Sequence, residues 1–285
     1  MTNPARAVKQ SGFGGRGYVR FGIDGPVLPS VTTILKNEAK PAIVQWAVNQ
    51  TAAYAVANLD QLDRMSPDRG FGFLRWYWNR KVDPLSEETD VLNYHAGVLD
   101  DAAELGTAVH EWMQADVTGT TPYPDVSGKG HVFWECIEAW NAFRAEHDVS
   151  AHYTETTVWN EDDGYAGTFD GVWTIDGEHV LMDIKTSRGL YSSTWMQLAA
   201  LYKAPIMLLD GLDGVDLQVR DWQLPVTSLK VLHVRPNDYE ANGTFMPSFC
   251  KLVDMPGSVD THYKSFKGLL TYAQAQRELQ LEARK

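Results

Sequence analysis

The stretch "GTFDGVWTIDGEHVLMDIKTS", Gly167 to Ser187, holds two aspartates thirteen residues apart, with a lysine two residues after the second. At its centre Asp176-Gly177 separates two apolar-rich runs, and this dipeptide accepts the positive φ that a two-residue hairpin loop demands. With that loop, Ile175 pairs with Glu178, and counting back along both strands sets Asp170 across from Asp183. Strand side chains alternate, so both carboxylates share a face with Thr168 and Lys185. The other face carries Phe169, Trp173, Ile175, Val180, Met182 and Ile184, an apolar set suited to a core. Opposed residues have Cβ atoms roughly 4.5–5.5 Å apart. Two ionised carboxylates at that range repel, unless one takes a proton or a cation sits between them. Oxygen ligation suits Mg²⁺ or Mn²⁺, and Lys185 is placed to hold a water or to offset charge on a phosphate. Two readings stand: a metal site, or an exposed polar face with a cross-strand Asp–Lys pair. A bulged three-residue loop would undo the register.

Outward from the hairpin, "AHYTETTVW" (151–159) alternates as a strand does and "NEDDG" is a turn. "STWMQLAALYKA" is helical up to Pro205. "DLQVRDWQL", "LKVLHVRP" and "TFMPSFCKLV" are further strand candidates. Val259, Tyr263, Phe266 and Leu270 mark a C-terminal helix. Upstream, helices are expected over about 98–117 and 129–147, the second with Val132, Phe133, Cys136, Ile137, Trp140 and Phe143 at helical spacing. Ser30 can cap a short helix and Pro41 can open the next, with Ile43, Ala47, Tyr54 and Trp46 suggesting a packed face. Residues 1–29 read as a loose arm or an edge strand around 18–23. The expected fold is α/β, one mixed β-sheet flanked by helices and preceded by an N-terminal helical region. The expected division is an arm and helical region over 1–97, packed on a core over 98–285.

The 285 residues are 44% apolar and 22% charged, an ordinary globular composition. No apolar run is long enough for a membrane span, and the N-terminus lacks a secretory signal's apolar stretch. Cys136 and Cys250 form no Cys-x-x-Cys pair, which argues against a disulfide framework, a cysteine zinc site or an iron–sulfur cluster and fits the cytoplasm. A net charge of −12 argues against a generic nucleic-acid coat. The charge is uneven: "RMSPDRGFGFLRWYWNRK" (64–81) has five Arg or Lys against one Asp, with aromatic residues between them. That mixture suits single-stranded nucleic acid, with Arg75, Arg80 and Lys81 touching phosphates; it equally suits Trp76, Tyr77 and Trp78 as packing for a helical annex.

Four motifs in order resemble the RecB-like branch of the PD-(D/E)XK nuclease superfamily: "GTAVH" (106–110), "GTFD" (167–170), "DIK" (183–185) and "MQLAALY" (196–202). The resemblance spans about 106–202 and implies a restriction-endonuclease-like core. It implies that Asp170 and Asp183 ligate Mg²⁺ or Mn²⁺, with His110 and the Ile184 carbonyl as further ligands, and that Lys185 positions the attacking water. Glu155 lies where relatives often carry an acid near the metals, either as a ligand or as an exposed strand glutamate. Gln197 matches the family glutamine that touches the site or the DNA backbone. The family tyrosine position is held by Leu201, with Tyr202 one residue on. Without the resemblance, His110 reads as a half-buried core histidine. Arg188 and Lys203 are close enough in sequence to the motifs to contact phosphates. The implied activity is a DNA exonuclease acting on linear duplex ends or single strands, beside a single-strand-annealing recombination partner in a phage or bacterium. An endonuclease on the same core, or a DNA-binding component without catalysis, are the alternatives.

Overall fold

The computed structural model describes residues 6–8, 12–58, 94–120, 125–240 and 243–283. The chain divides into two units, Met1–Glu38 with Leu105–Lys285, and Ala39–Glu104. The described residues up to Glu38 thus group with the larger unit.

The hairpin at the heart of the larger unit joins β5 (Tyr165–Ile175) to β6 (Glu178–Lys185). Asp176 and Gly177 both have positive φ, 52° and 83°, as a turn twisted in the sense of its strands requires. The ladder runs from Ile175↔Glu178 to Gly171↔Met182 in the register expected from sequence, and stops there. On its other side β5 pairs with β4 (Val149–Asn160), which carries a register shift between Ala151 and Tyr153. β7 (Ile206–Asp210) and β8 (Asp216–Arg220) extend that edge; β9 (Ser228–Arg235) and β12 (Phe249–Asp254) extend the other. The seven-stranded order is β12-β9-β6-β5-β4-β7-β8. The β6–β9 pair is parallel and the rest are antiparallel, so the sheet is mixed.

Helices cover both faces. Val180 and Met182 pack in one cluster and Leu181 in another, as alternation through a sheet buried on both sides dictates. One face meets the larger unit's part of α3 (Tyr94–Thr118) and α4 (His131–Glu146) through Val109, Met113, Phe133, Ile137 and Trp140. The other meets α1 (Val31–Leu35), α5 (Ser192–Lys203) and α6 (Val259–Glu282) through Ile34, Leu198, Leu201, Phe266 and Leu270. Ser30 caps α1 by accepting from the Thr33 N–H. Among the described residues no helix is long and apolar enough to cross a membrane.

The single apolar face expected on the hairpin is corrected here. Trp173, Ile175, Val180, Met182 and Ile184 share a cluster, but Phe169 lies in the other with Val172 and Leu181. The alternation slips around Asp170, where the ladder to β6 has ended. Across β4 the facing residue, Glu155, lies between Thr154↔Gly171 and Thr156↔Phe169 and has φ 44°. A glutamate in the left-handed region is strained, and such strain persists only where the surroundings impose it.

The expected strand "TFMPSFCKLV" is interrupted, its first part pairing instead as β11 (Phe245–Met246) with β10 (Asp238–Tyr239). β7 was not expected at all. In the smaller unit, α2 (Pro41–Ala57) opens on Pro41 as expected, but Ile43 of its supposed packed face is exposed and Trp46, Ala47 and Tyr54 are only half-buried.

Two close approaches anchor the larger unit. β1 (Ala7–Val8), β2 (Gly17–Tyr18) and β3 (Leu28–Pro29) form a small sheet whose Tyr18 and Leu28 pack on Trp159, Ala166 and Leu208. Arg6 binds buried Asp216 of β8, with Nε 2.7 Å from Oδ1, while the Phe21 N–H donates to Oδ2 at 2.7 Å. The second approach is at Gly167, where a Cβ would lie 2.6 Å from Leu201 Cδ2 and 3.2 Å from Val31 Cγ2. Gly167→Ala therefore overpacks the seat of α1 and α5 and is expected to cost about 1–3 kcal/mol. In a thermal melt the midpoint falls by roughly 3–10 °C; an unchanged midpoint would show that Leu201 yields freely.

Candidate active site

The site opens where β5 and β6 stop pairing. The Asp170 carboxylate turns inward, and Oδ2 accepts the Ile184 N–H at 2.6 Å, next to where the ladder ended. Asp183 is almost wholly buried, its side chain 1% exposed. Its Oδ1 accepts from Gln197 Nε2 of α5 at 3.0 Å. Its Oδ2 stands 2.5 Å from Lys185 Nζ in a charge-assisted contact. The directly paired Asp170/Asp183 expected from sequence is therefore corrected: that pair lies beyond the last ladder rung, and each acid has partners of its own.

α3 brings His110 to the same place. Gly106, one turn earlier, makes this possible, because a Cβ there would lie 3.1 Å from Thr186 Oγ1. His110 Nδ1 is 3.5 Å from Asp170 Oδ2, and the ring is also hydrogen-bonded to the Ile184 backbone. His110, Glu155 and Asp170 each offer a ligand atom, all within 4.8 Å of one another. Asp183 is outside this trio but next to it: its charge acts on His110, and Lys185 is held by both aspartates.

The electrostatics follow from crowding acids in a poorly solvated pocket. Burial first, and then the Asp170 charge against the pull of Lys185, pushes Asp183 up to about 6. Burial also raises Asp170, against Lys185 and the Ile184 N–H. Glu155 is pushed up to about 8 by enclosure and then by Asp170, Asp183 and Glu111, though its exposed edge lets solvent soften that repulsion. Burial, with the Lys185 charge, holds His110 down at about 4, leaving a neutral imidazole with a lone pair to offer. Burial alone would lower Lys185, but Asp183 and Asp170 outweigh it and the ammonium stays charged. A neutral imidazole and converging carboxylates form a donor set that fits a divalent cation, Mn²⁺ or Mg²⁺ among them.

The other expected residues fall elsewhere. Arg188 is exposed, with Nε 3.3 Å from Asp238 and Nη2 donating to the Tyr239 carbonyl. Lys203 pairs with Asp260 at 2.7 Å. Arg75, Arg80 and Lys81 lie outside the described residues. Leu201 is a core residue seated over Gly167, and Tyr202 is partly buried against the same cluster. Sequence reasoning missed Arg16 and Glu111, whose charges act on Glu155. It also missed Tyr18, whose hydroxyl lies 3.0 Å from Thr168 Oγ1. Glu111 had one available signal, its place beside His110 on a helix; the Gly-rich arm holding Arg16 and Tyr18 had none.

No family model matches the chain, and no curated protein matches it. Among solved structures, the crystal structure of LHK-Exo in complex with dAMP aligns over 67% of this chain and 88% of that one, at 14% identity and a TM-score of 0.30.

Proposed function

We propose that the protein is a divalent-metal-dependent deoxyribonuclease with a PD-(D/E)XK core of the RecB-like kind, hydrolysing phosphodiester bonds from DNA ends. The observation that carries the reading is the convergence of His110, Glu155 and Asp170 within 4.8 Å, beside an Asp183 tied to both Lys185 and Gln197. His110, Glu155, Asp170 and Asp183, with the Ile184 carbonyl, would hold Mg²⁺ or Mn²⁺. The cation supplies Lewis-acid charge for a phosphodiester. Lys185 donates hydrogen bonds to the attacking water and offsets negative charge on the phosphate. Gln197 keeps Asp183 in its rotamer. The water oxygen bonds to phosphorus, the P–O bond to the leaving sugar oxygen breaks, the water gives one proton to solvent and the leaving oxygen takes one from solvent. End processing of this kind suits recombination with a single-strand-annealing partner.

The test is incubation with Mn²⁺ or Mg²⁺ and linear, nicked or covalently closed circular DNA. Loss of linear DNA alone, blocked by chelator, is the expected result. Cutting of closed circles would make the protein an endonuclease, and binding without cleavage would make it a non-catalytic DNA-binding component. Gln197→Ala, which frees Asp183 without removing a ligand, should slow cleavage about 10–100-fold, as loss of an orienting partner does at metal sites. A rate within twofold of the parent would remove Gln197 from this role.

A further inference from the structure

The β10–β11 hairpin presents aromatic rings that its own packing leaves uncovered. Tyr239 is 62% exposed and Phe245 51%. They are paired across the ladder, with ring centroids 5.4 Å apart and edge to face. Exposed aromatic rings close together mark a contact surface more often than isolated ones do.

Its location gives the pair meaning. Thr186 to Arg188 leave the carboxylate site directly after Lys185 and bind the hairpin's base. Arg235 Nη1 donates to the Thr186 carbonyl at 2.6 Å, and Nη2 to Asp238 Oδ2 at 2.9 Å. Arg188 Nη2 donates to the Tyr239 carbonyl at 2.5 Å, and His233 Nε2 lies 2.8 Å from the Ser187 carbonyl. Three residues span at most roughly 10–11 Å, so the hairpin is held within oligonucleotide reach of the carboxylates. The anchoring runs through backbone carbonyls and Asp238, not through the two rings. Arg188 and Arg235 neutralise Asp238. Lys251, on neighbouring β12, adds an exposed ammonium above the Phe249 ring. Glu240 is the remaining acid on the hairpin itself.

We infer that the Tyr239–Phe245 hairpin is a stacking platform for an unpaired nucleobase of the strand whose phosphate enters the carboxylate site, an inference that rests on the nuclease reading above. Every base offers a π-face, so the platform grips single strands without reading sequence, while exposed Lys251 offers a charge to the backbone. The fixed tether to the Lys185 segment, with Asp238 neutralised and Lys251 exposed on β12, favours a nucleic-acid strand over a protein surface as the occupant.

The test compares the parent with Tyr239→Ala/Phe245→Ala on two labelled single-stranded oligonucleotides of equal length, one ordinary and one abasic, with Ca²⁺ replacing Mg²⁺. The variant should bind the ordinary strand about ten- to a hundredfold more weakly and the abasic strand as the parent does. Tyr239→Trp should keep parental affinity for the ordinary strand. Equal losses on both strands, or no loss, would overturn the platform. So would a variant that loses self-association in sedimentation with DNA affinity intact, since the rings would then serve a protein contact. A parent that neither binds nor cuts DNA would bring down the nuclease reading and the platform with it. A parent that cuts, with a variant indistinguishable from it, would bring down the platform alone.

Discussion

Asp183→Asn is expected to lower DNA cleavage by at least about a hundredfold, yet leave the metal-free protein at least as stable as the parent. The two halves of this result share one cause. Asp183 is almost fully buried, held by Lys185 and Gln197. Burial first, reinforced by Asp170, holds its pKa at about 6 against an ordinary 3.8. A carboxyl whose folded pKa lies above its unfolded one binds its proton more tightly when folded. Its contribution therefore favours the fold at low pH and is lost as pH rises from about 4 through about 6. At neutral pH the charged group costs the metal-free fold roughly 3 kcal/mol relative to acid. Asparagine keeps the shape and removes that titration, while Lys185 retains the Asp170 charge. Melting midpoints in chelator between pH 4.5 and 8 should show the parent losing ground to the variant as pH rises. Added Mn²⁺ should narrow the gap by stabilising the parent. Parallel curves, or cleavage within a few-fold of the parent, would refute the assignment.

The largest stability effect is expected at Arg6. Its guanidinium meets Asp216, whose side chain is 1% exposed, and reaches Asp210 as well. Arg6→Ala leaves Asp216 buried with only the Phe21 N–H as partner. Breaking a buried pair from one side typically costs about 3–5 kcal/mol. For a unit of this size the midpoint should drop by roughly 6–20 °C. Arg6→Ala/Asp216→Ala should recover part of the loss, because no uncompensated charge remains. A double variant as unstable as the sum of the two single ones would mean the pair is not coupled.

What the sequence made legible was local. Asp176-Gly177 fixed the register of β5 and β6 because two adjacent positive-φ positions allow few alternatives. Ser30, Pro41 and the apolar spacing of 131–146 marked helices for similarly local reasons. The site was legible only as a set of residue types in order. Where the ladder stops, which makes Asp170 turn to the Ile184 N–H, depends on contacts from β4 and α3. Glu155's left-handed backbone leaves no mark in "YTETT", since glutamate is not a residue chosen for that conformation. β7 was invisible because "IMLLD" is buried without alternation, and short apolar runs do not reveal their period. Arg16 belongs to the arm that forms the small β1–β3 sheet, which pairs within itself but packs on Trp159, Ala166 and Leu208, far away in sequence.

The Arg6–Asp216 link also fixes an order of events on the ribosome. Arg6 emerges 210 residues before its partner, a wait of roughly 10–40 s at ordinary elongation rates of about 5–20 residues per second. Until β8 is made, Arg6 has no Asp216 to hold it, and the seat that Trp159, Ala166 and Leu208 offer Tyr18 and Leu28 lacks that anchor. Crowding around Arg6 should therefore tell first as aggregation during synthesis, before any defect in the finished protein.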